Sequence, residues 1–286
     1  MLDQREKDVL LGLYADTSKH SNYQSMPQFV MEQTGLRADI QQSWRGDHCR
    51  YEWIKRVVLN QSKGLRWCDF GANTGFFALS LAHDRPFDSV TAIEANPNHA
   101  GLIERVAGLV GLRNLLVRSA AIELKDLQDC GTFDVMLHLN VLHHAGADFD
   151  SGMIAGPGEF APYARLYLGS LRKASRTLVI QIGTNLWGNK ALAMVPAEDD
   201  VGRLRFLSSL LLDSGWCMRS IAYARKADGA PIEYHPIADA TVAALNRREP
   251  LTDGQLSAAL SFYNLPTHTG EFYRRAIFVC SHDESG

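Results

Sequence analysis

The chain has 286 residues, of which 46% are hydrophobic and 21% charged, and its net charge is -3 at pH 7. This composition is typical of a globular protein with one sizeable core, and it excludes a largely disordered chain. The negative net charge gives no general attraction to nucleic acid, and no apolar run approaches the ~20 residues that span a bilayer.

The five cysteines are scattered without C-x-x-C spacing, and the first residues lack the apolar core of a signal peptide. Disulfide frameworks belong to oxidising compartments. We therefore expect a cytoplasmic protein with reduced thiols.

The N-terminal segment, residues 1–47, is predicted to be helical at Arg5–Tyr14 and again near Pro27–Gln33. The polar stretch between these helices contains Lys19, His20 and Tyr23. Functional loops often have such a composition, so we expect these three side chains to contact a ligand as part of a lid. The alternative is a solvated linker.

An aromatic and basic cluster precedes the first strand. Its spacing favours a helix that packs on a sheet, because Tyr51, Ile54 and Val57 recur at helical intervals. The same composition can also stack on a base or a sugar. The cluster consists of Trp44, Arg45, Arg50, Tyr51 and Trp53.

The most informative stretch is residues 67–82, where an apolar strand ends in Asp69 and is followed by a glycine loop and an apolar helix. In this arrangement, backbone N–H groups face a ligand at the carboxyl end of a parallel strand. Gly71 and Gly75 leave no Cβ between the ligand and the main chain. The loop is neither a dinucleotide fingerprint nor a P-loop, and it has no lysine for a triphosphate.

A second strand, Ser89–Glu94, also ends in an acid and is followed by the turn pair Asn96-Pro97. An acid at this position can accept two hydrogen bonds from a ribose diol. The alternative is an ordinary surface carboxylate, but its distance from the glycine loop favours the ribose role for Glu94.

From about residue 65 onward, short β-rich runs alternate with helical patterns, including an amphipathic helix at Val201–Ser214. This alternation predicts an α/β fold with a Rossmann-like, doubly wound sheet. Seven strands are predicted, near residues 65–69, 89–94, 114–118, 133–138, 177–182, 217–224 and 272–280.

One further segment, which follows the fourth strand, lies at the edge of the sheet where ligands bind in such folds. The stretch Asp148–Phe160 is rich in glycine and proline and is predicted to be an irregular loop. An insertion at about residues 226–270 is expected to form a cap with helices at Ile237–Asn246 and Asp253–Tyr263, and to offer Tyr234 and His235 to the substrate. We treat residues 48–286 as one domain that contains this cap; structural padding is the alternative for the insertion.

These motifs together resemble the class I S-adenosylmethionine-dependent methyltransferases. The first motif of that family matches Asp69, Gly71, Asn73 and Gly75, and its ribose-binding acid matches Glu94. The resemblance extends to residues 133–144 and 177–183, which match the fourth and fifth strands of the family. It implies the class I fold, S-adenosylmethionine as cofactor and methyl transfer as the reaction.

The resemblance also implies further cofactor contacts. Relatives often carry an acid near Ala120 that meets the adenine amino group, and this chain has none there. Adenine recognition is then expected from the backbone of Ala121 and Ile122. Asn140 is expected to contact the amino-acid part of the cofactor or the acceptor, and Arg50 to pair with the cofactor carboxylate.

Two adjacent histidines at the carboxyl end of the fourth strand are the candidate catalytic residues. A hydroxyl acceptor loses its proton on methylation, and histidine is suited to remove it near neutral pH. We expect His144 to be the base, with His143 as second candidate; a purely structural role is the alternative for both. The acids Asp148 and Asp150 lack metal-ligand spacing, so no metal is predicted.

The acceptor is expected to be a hydroxyl of a sugar, a glycan intermediate or another small metabolite. Transfer-RNA modification is the alternative, and it would be favoured by a basic face of Arg37, Arg45, Arg50, Lys55 and Arg56. A non-catalytic protein that binds the cofactor or scaffolds a partner is the alternative from a different class.

Overall fold

The computed structural model describes residues 2–16, 24–38, 46–58, 63–195, 199–226, 230–261 and 271–282. The chain divides into two compact units. The first comprises Met1–Ile122 and Phe133–Leu137, and the second comprises Glu123–Thr132 and His138–Gly286.

The described residues form one mixed sheet of eight strands in the order β3-β2-β1-β4-β5-β8-β6-β7. The strands are β1 (Arg66–Phe70), β2 (Ser89–Glu94), β3 (Leu115–Ser119), β4 (Phe133–Leu139), β5 (Ser175–Gln181), β6 (Cys217–Lys226), β7 (Ile232–Pro236) and β8 (Ile277–Ser281).

Helices flank these strands in chain order. They are α1 (Gln4–Tyr14), α2 (Gln28–Thr34), α3 (Asp47–Val58), α4 (Phe76–Asp84), α5 (Pro97–Leu109), α6 (Pro157–Ala174), α7 (Asp200–Asp213), α8 (Asp239–Asn246) and α9 (Asp253–Leu260). Short 3₁₀ turns lie at Leu124–Asp129, Leu142–His144, Leu186–Gly188 and Glu271–Arg274.

In the first unit, β1 pairs in parallel with β2 and β4, and β2 pairs in parallel with β3. Parallel strands are covered on both faces, so they consist of near-continuous apolar runs. Trp67 and Cys68 of β1 are accordingly fully buried. Helix α5 begins where Asn96 accepts hydrogen bonds from two backbone amides, and Pro97 occupies the first helical position.

In the second unit, β8 pairs antiparallel with both β5 and β6, and β6 pairs antiparallel with β7. Leu178, Val179 and Ile180 of β5 are fully buried. Helix α7 ends at Asp213, and Gly215 follows it with a φ of +81°, as the predicted stop signal requires.

The prediction of seven strands is wrong, because the insertion contributes an eighth strand, β7. Its sequence alternates the apolar Ile232 and Tyr234 with the polar Glu233 and His235, which is the period of a strand, and Tyr234 is buried. The closing strand β8 begins at Ile277 rather than Phe272, because Glu271–Arg274 forms a 3₁₀ turn.

The helices within the predicted segments differ from the expected bounds by a few residues. The loop predicted at Asp148–Phe160 ends earlier than expected, because α6 begins at Pro157. Proline is favourable there, since a first helical residue needs no intrahelical N–H bond. Residue 47 begins α3, and the division into residues 1–47 and 48–286 stays a prediction.

None of the helices that the structure describes has the length and the apolar composition that crossing a bilayer requires.

Candidate functional site

The loop between β1 and α4 has three residues in the left-handed backbone region. Gly71, Asn73 and Gly75 have φ values of +73°, +51° and +87°. The amides of Gly71 and Ala72 both donate to the carbonyl of Ile93, at 2.9 and 3.0 Å. The loop is therefore held against the end of β2 by its own backbone.

Gly75 is required by packing as well as by conformation. A Cβ at this position would lie 2.6 Å from Cγ1 of Ile103 in α5, closer than van der Waals contact allows. The start of α4 thus approaches α5 closely, which is one of the roles of glycine in strand–loop–helix ligand sites.

Glu94 joins the end of β2 to the glycine loop. Its carboxylate accepts a hydrogen bond from the amide of Asn73 at 2.6 Å and another from the amide of Asn96 at 2.7 Å. The side chain is buried. Each carboxylate oxygen has a second lone pair, so this acid can still accept from a diol.

Asp69 is buried under the same loop and accepts a hydrogen bond from the amide of Ala78 at 3.0 Å. Burial raises the pKa of the Asp69 carboxyl to about 7; the amide of Ala78 opposes this rise, and the nearby Glu94 adds to it. The carboxyl therefore titrates near neutral pH, which is frequent at functional sites.

Arg50 lies in α3 and is almost completely buried. Its guanidinium donates to the carboxylate of Asp47 and lies 5.2 Å from the ring centre of Phe77. Asp47 also accepts from the amide of Ser25 at 2.8 Å. The sequence identified Arg50 but not Asp47. An acid three residues before a base in a helix is an ordinary surface ion pair, so this spacing does not indicate a ligand site.

The described residues on either side of the polar stretch of the N-terminal segment contact the glycine loop and the end of β2. Gln24 accepts from the amide of Phe76, at the start of α4, at 2.8 Å. Asp16 accepts from the side-chain amide of Asn96 at 2.8 Å, and its carbonyl lies 2.8 Å from Nε2 of His99. Outside the described residues lie the predicted contacts Lys19, His20 and Tyr23, together with Trp44 and Arg45.

The predicted adenine contacts lie just beyond β3. The amide of Ala120 donates to the carbonyl of Glu94 at 2.9 Å, which keeps this stretch beside the predicted ribose site. Ala121 is exposed and Ile122 is buried. Their roles in adenine binding stay predictions.

In the second unit, Asn140 belongs to a network of buried polar groups. It has a φ of +62°, donates from its side chain to Gln181 at 2.8 Å and accepts from Nη1 of Arg275 at 2.7 Å. Gln181 in turn donates to the carbonyl of Arg275 at 2.8 Å and to the hydroxyl of Tyr234 at 3.3 Å. The sequence identified Asn140 and Tyr234 separately; Gln181 and Arg275 gave no local signal.

Tyr234 and His235 lie in β7, on opposite faces. Tyr234 is 1% exposed, while the partly exposed His235 lies 3.7 Å from the carboxylate of Glu233. Their predicted contacts with a substrate stay predictions.

His143 is buried, and its Nδ1 accepts a hydrogen bond from the amide of Gly183 at 3.2 Å. Burial lowers the pKa of His143 well below its usual value, and the neighbouring His144 lowers it further. The ring is therefore neutral, with its proton on Nε2. Neither nitrogen is then available to take a proton from a hydroxyl.

His144 has the opposite arrangement. Its Nδ1 lies 3.0 Å from the carboxylate of Asp148, and both side chains are partly exposed. A carboxylate at Nδ1 favours the tautomer with the proton on that nitrogen, which leaves Nε2 as a hydrogen-bond acceptor. The sequence considered Asp148 only as a possible metal ligand, because the turn that brings it back to His144 is not encoded locally.

Asp150 has a structural role in the segment that follows the histidine turn. Its carboxylate accepts from the amide of Leu124 at 3.0 Å and from the hydroxyl of Tyr163 at 2.5 Å. Among the described residues, no cluster of three histidine, cysteine, aspartate or glutamate side chains is arranged to hold a metal ion.

No family model matches the chain. Over 76 residues it is 38% identical to the ribosomal RNA small subunit methyltransferase G of Sorangium cellulosum, a match that covers 26% of this chain and 32% of that protein. The chain thus spans about a third of the length of this curated relative.

Solved structures give matches over most of the chain. The [4+2]-cyclase SpnF is 13% identical, with a TM-score of 0.50, and the match covers 97% of this chain and 94% of that one. The magnesium protoporphyrin IX methyltransferase ChlM from Synechocystis, solved with bound S-adenosylmethionine, is 14% identical, with a TM-score of 0.47 and coverage of 98% and 92%. The bifunctional kinase-methyltransferase WbdD is 15% identical, with a TM-score of 0.49 and coverage of 79% and 44%.

The sequence match to a methyltransferase confirms the resemblance to the class I S-adenosylmethionine-dependent methyltransferases and supports S-adenosylmethionine as the cofactor. The match to SpnF shows the shared fold alone. Because SpnF is named as a cyclase, the shared fold does not by itself establish methyl transfer.

Proposed function

We propose that this protein is an S-adenosylmethionine-dependent methyltransferase whose acceptor is a hydroxyl of a sugar, a glycan intermediate or another small metabolite. The observation that carries this proposal is the junction of the glycine loop with Glu94, which places an acid beside a loop whose glycines carry no Cβ, at the carboxyl ends of β1 and β2. A cytoplasmic location is part of the proposal; the five cysteines have free thiols.

The residues of the first unit fit the cofactor. Glu94 would accept hydrogen bonds from the ribose hydroxyls, while the loop around Gly71 would let the ligand lie against the backbone. Arg50 would pair with the carboxylate, through guanidinium N–H groups other than those bound by Asp47. When bound, S-adenosylmethionine supplies a methyl group on a sulfonium, whose departure needs no protonation.

In the second unit, His144 would act as the general base. Asp148 holds the proton on Nδ1, so Nε2 can accept the proton that the acceptor hydroxyl loses. Asp148 also stabilises the imidazolium that results. A proton acceptor is needed for a hydroxyl but not for an already deprotonated acceptor, so this dyad supports a hydroxyl.

RNA modification is the second candidate function, because the curated match is a ribosomal RNA methyltransferase. Two members of the basic face that would support it are engaged with acids. Arg50 is buried against Asp47, and Lys55 pairs with Glu52 at 2.8 Å and with Asp84 at 3.1 Å. We therefore favour a small or glycan acceptor.

The test is transfer of a labelled methyl group from S-adenosylmethionine to three pools: oligosaccharides, small hydroxylated metabolites, and total RNA. We expect label in one of the first two pools and a large loss of label with His144→Ala. His83→Ala, which changes an exposed histidine at the end of α4, is the matched control. Label in RNA alone would favour the second candidate, and binding of the cofactor without transfer to any pool would favour a non-catalytic protein.

A further inference from the structure

The loop after β5 holds Trp187 in a conformation that tryptophan rarely adopts. Its φ of +57° and ψ of +22° lie in the left-handed region, where a Cβ crowds the neighbouring carbonyl. Loop hydrogen bonds surround it: the amide of Leu186 donates to the carbonyl of Leu192 at 2.9 Å, and that of Met194 to the carbonyl of Thr184 at 3.0 Å. Disfavoured conformations of this kind persist where the surroundings impose them, and they cluster at ligand-binding positions.

This conformation ties the indole to the histidine turn. The Nε1–H of Trp187 donates to the carbonyl of Ala145 at 2.7 Å. Ala145 directly follows His144, the proposed base. The ring is therefore attached to the backbone one residue from the group that would meet the acceptor hydroxyl.

Trp187 also differs in burial from the other tryptophans that the structure describes. Trp53, Trp67 and Trp216 are no more than 1% exposed and belong to the core. Trp187 is partly exposed, although its loop is anchored by the fully buried Leu186. Core packing therefore does not explain why this position holds a large aromatic ring in an unfavourable backbone conformation.

We infer that Trp187 is the platform on which a saccharide ring of the acceptor packs, and that it determines acceptor specificity; this inference rests on the proposed function. An aromatic face buries the apolar C–H face of a sugar while the sugar hydroxyls remain free to form hydrogen bonds. Neutral amides in the same loop, Asn185 and Asn189, are suited to those hydroxyls.

The charge of this loop argues for a saccharide over a nucleic acid. Within residues 182–195 the sequence has one cation, Lys190, and no second basic side chain. Single-stranded nucleic acid is bound by aromatic rings together with a groove of several cations that follows the phosphates. A loop with one cation and one aromatic side chain therefore suits an uncharged saccharide better than a nucleic acid.

The experiment uses the full chain saturated with S-adenosylhomocysteine and applied to an array of defined mono- and oligosaccharides, with a set of short ribo-oligonucleotides in parallel. Trp187→Asn removes the ring but suits the left-handed conformation, whereas Trp187→Phe keeps a ring. Phe87→Asn, at a side chain that is 75% exposed, is the matched control.

We expect the wild-type protein to bind a subset of saccharides. Trp187→Asn should weaken this binding by about tenfold or more, while Trp187→Phe and Phe87→Asn should retain it. Tryptophan emission should change when a saccharide binds to the wild-type protein and not when it binds to Trp187→Phe, a readout that does not depend on how well Trp187→Asn folds.

Three results would overturn the inference: saccharide binding that is unchanged in Trp187→Asn, no saccharide binding by a wild-type protein that binds S-adenosylhomocysteine, or binding of the ribo-oligonucleotides alone. Calorimetry with S-adenosylhomocysteine separates these failures from failure of the proposed function. Absence of that binding in the wild-type protein would remove the proposed function itself.

Discussion

His143 and His144 are adjacent, their ring centres are 4.4 Å apart, and yet their environments are opposite. The amide of Gly183 donates to Nδ1 of His143, whereas the carboxylate of Asp148 faces Nδ1 of His144. A hydrogen bond at one ring nitrogen decides which nitrogen keeps the proton. The structure therefore separates two histidines that the sequence treated as alternatives.

We predict opposite tautomers for these two residues. In ¹⁵N-histidine NMR spectra at pH 8, His143 should carry its proton on Nε2 and His144 on Nδ1. On acidification, His143 should stay neutral to a much lower pH than a histidine ordinarily does, because burial lowers its pKa. Single His143→Gln and His144→Gln variants assign the signals. A proton on Nε2 of His144 would remove it as the base.

Asp69 gives a prediction for stability against pH. Its folded-state pKa is raised to about 7, so its contribution to stability is fully present below the unfolded pKa of about 4 and is lost as the pH rises through about 7. Each pKa unit is worth about 1.4 kcal/mol. Asp69→Asn should therefore gain a few kcal/mol of unfolding free energy relative to wild type between pH 4 and pH 8, as measured by urea unfolding.

Asp88 is the control of opposite sign. Burial alone would raise its pKa, but hydrogen bonds from Arg85, Trp67 and two backbone amides outweigh burial and lower it. Its stabilising contribution is present above the unfolded pKa and is lost as the pH falls. Asp88→Asn should lose stability at neutral pH. If the free energy of unfolding depends on pH in the same way in wild type and Asp69→Asn, the raised pKa of Asp69 is contradicted.

At the scale of elements, the start of α4 depends on the N-terminal segment. Gln24 accepts from the amide of Phe76, one of the N–H groups that a helix leaves without an internal partner. The backbone carbonyl of Gln24 accepts from the hydroxyl of Tyr14 at 2.6 Å, which joins the end of α1 to the same point. The segment and the glycine loop therefore stabilise one another.

We expect Gln24→Ala to lower the free energy of unfolding by about 1 kcal/mol, the usual cost of losing a cap at the start of a helix. Because α4 follows the glycine loop directly, the affinity for S-adenosylhomocysteine should fall as well. Gln28→Ala, at an exposed position in α2, is the matched control. Urea unfolding measures the free energy of unfolding, and calorimetry measures the affinity for S-adenosylhomocysteine. If Gln24→Ala and Gln28→Ala have the same stability and affinity, Gln24 does not support the glycine loop.

The sequence predicted those parts of the molecule whose signals are local. The glycine loop and Glu94 follow from two strand ends with fixed spacing, and the alternation of strands and helices follows from hydrophobic periodicity. It did not predict Gln24 or Arg275, because their partners, Phe76 and Asn140, lie far away along the chain. The eighth strand was missed although Ile232–Pro236 alternates, since the five residues were read as part of a helical cap.

At the scale of the whole molecule, the two units have different chemistry. The first holds the glycine loop with its acids Asp69 and Glu94, and the second holds the pair His144 and Asp148 beside Trp187. A methyltransferase needs both a site for the donor and a site for the acceptor, and its rate depends on how well they are positioned. Cofactor binding is the claim on which both proposals depend.

Calorimetric titration of the purified protein with S-adenosylmethionine and S-adenosylhomocysteine tests that claim most directly. We predict micromolar binding of both ligands. Glu94→Gln should lose about 1–3 kcal/mol of binding free energy, because it keeps the size of the side chain but loses its charged hydrogen bonds. A 2′-deoxy analogue of S-adenosylhomocysteine should bind more weakly to the wild-type protein and show little further loss in Glu94→Gln. Binding of neither parent ligand to the wild-type protein would contradict the proposed methyltransferase, and equal affinity of wild type and Glu94→Gln would contradict the ribose site.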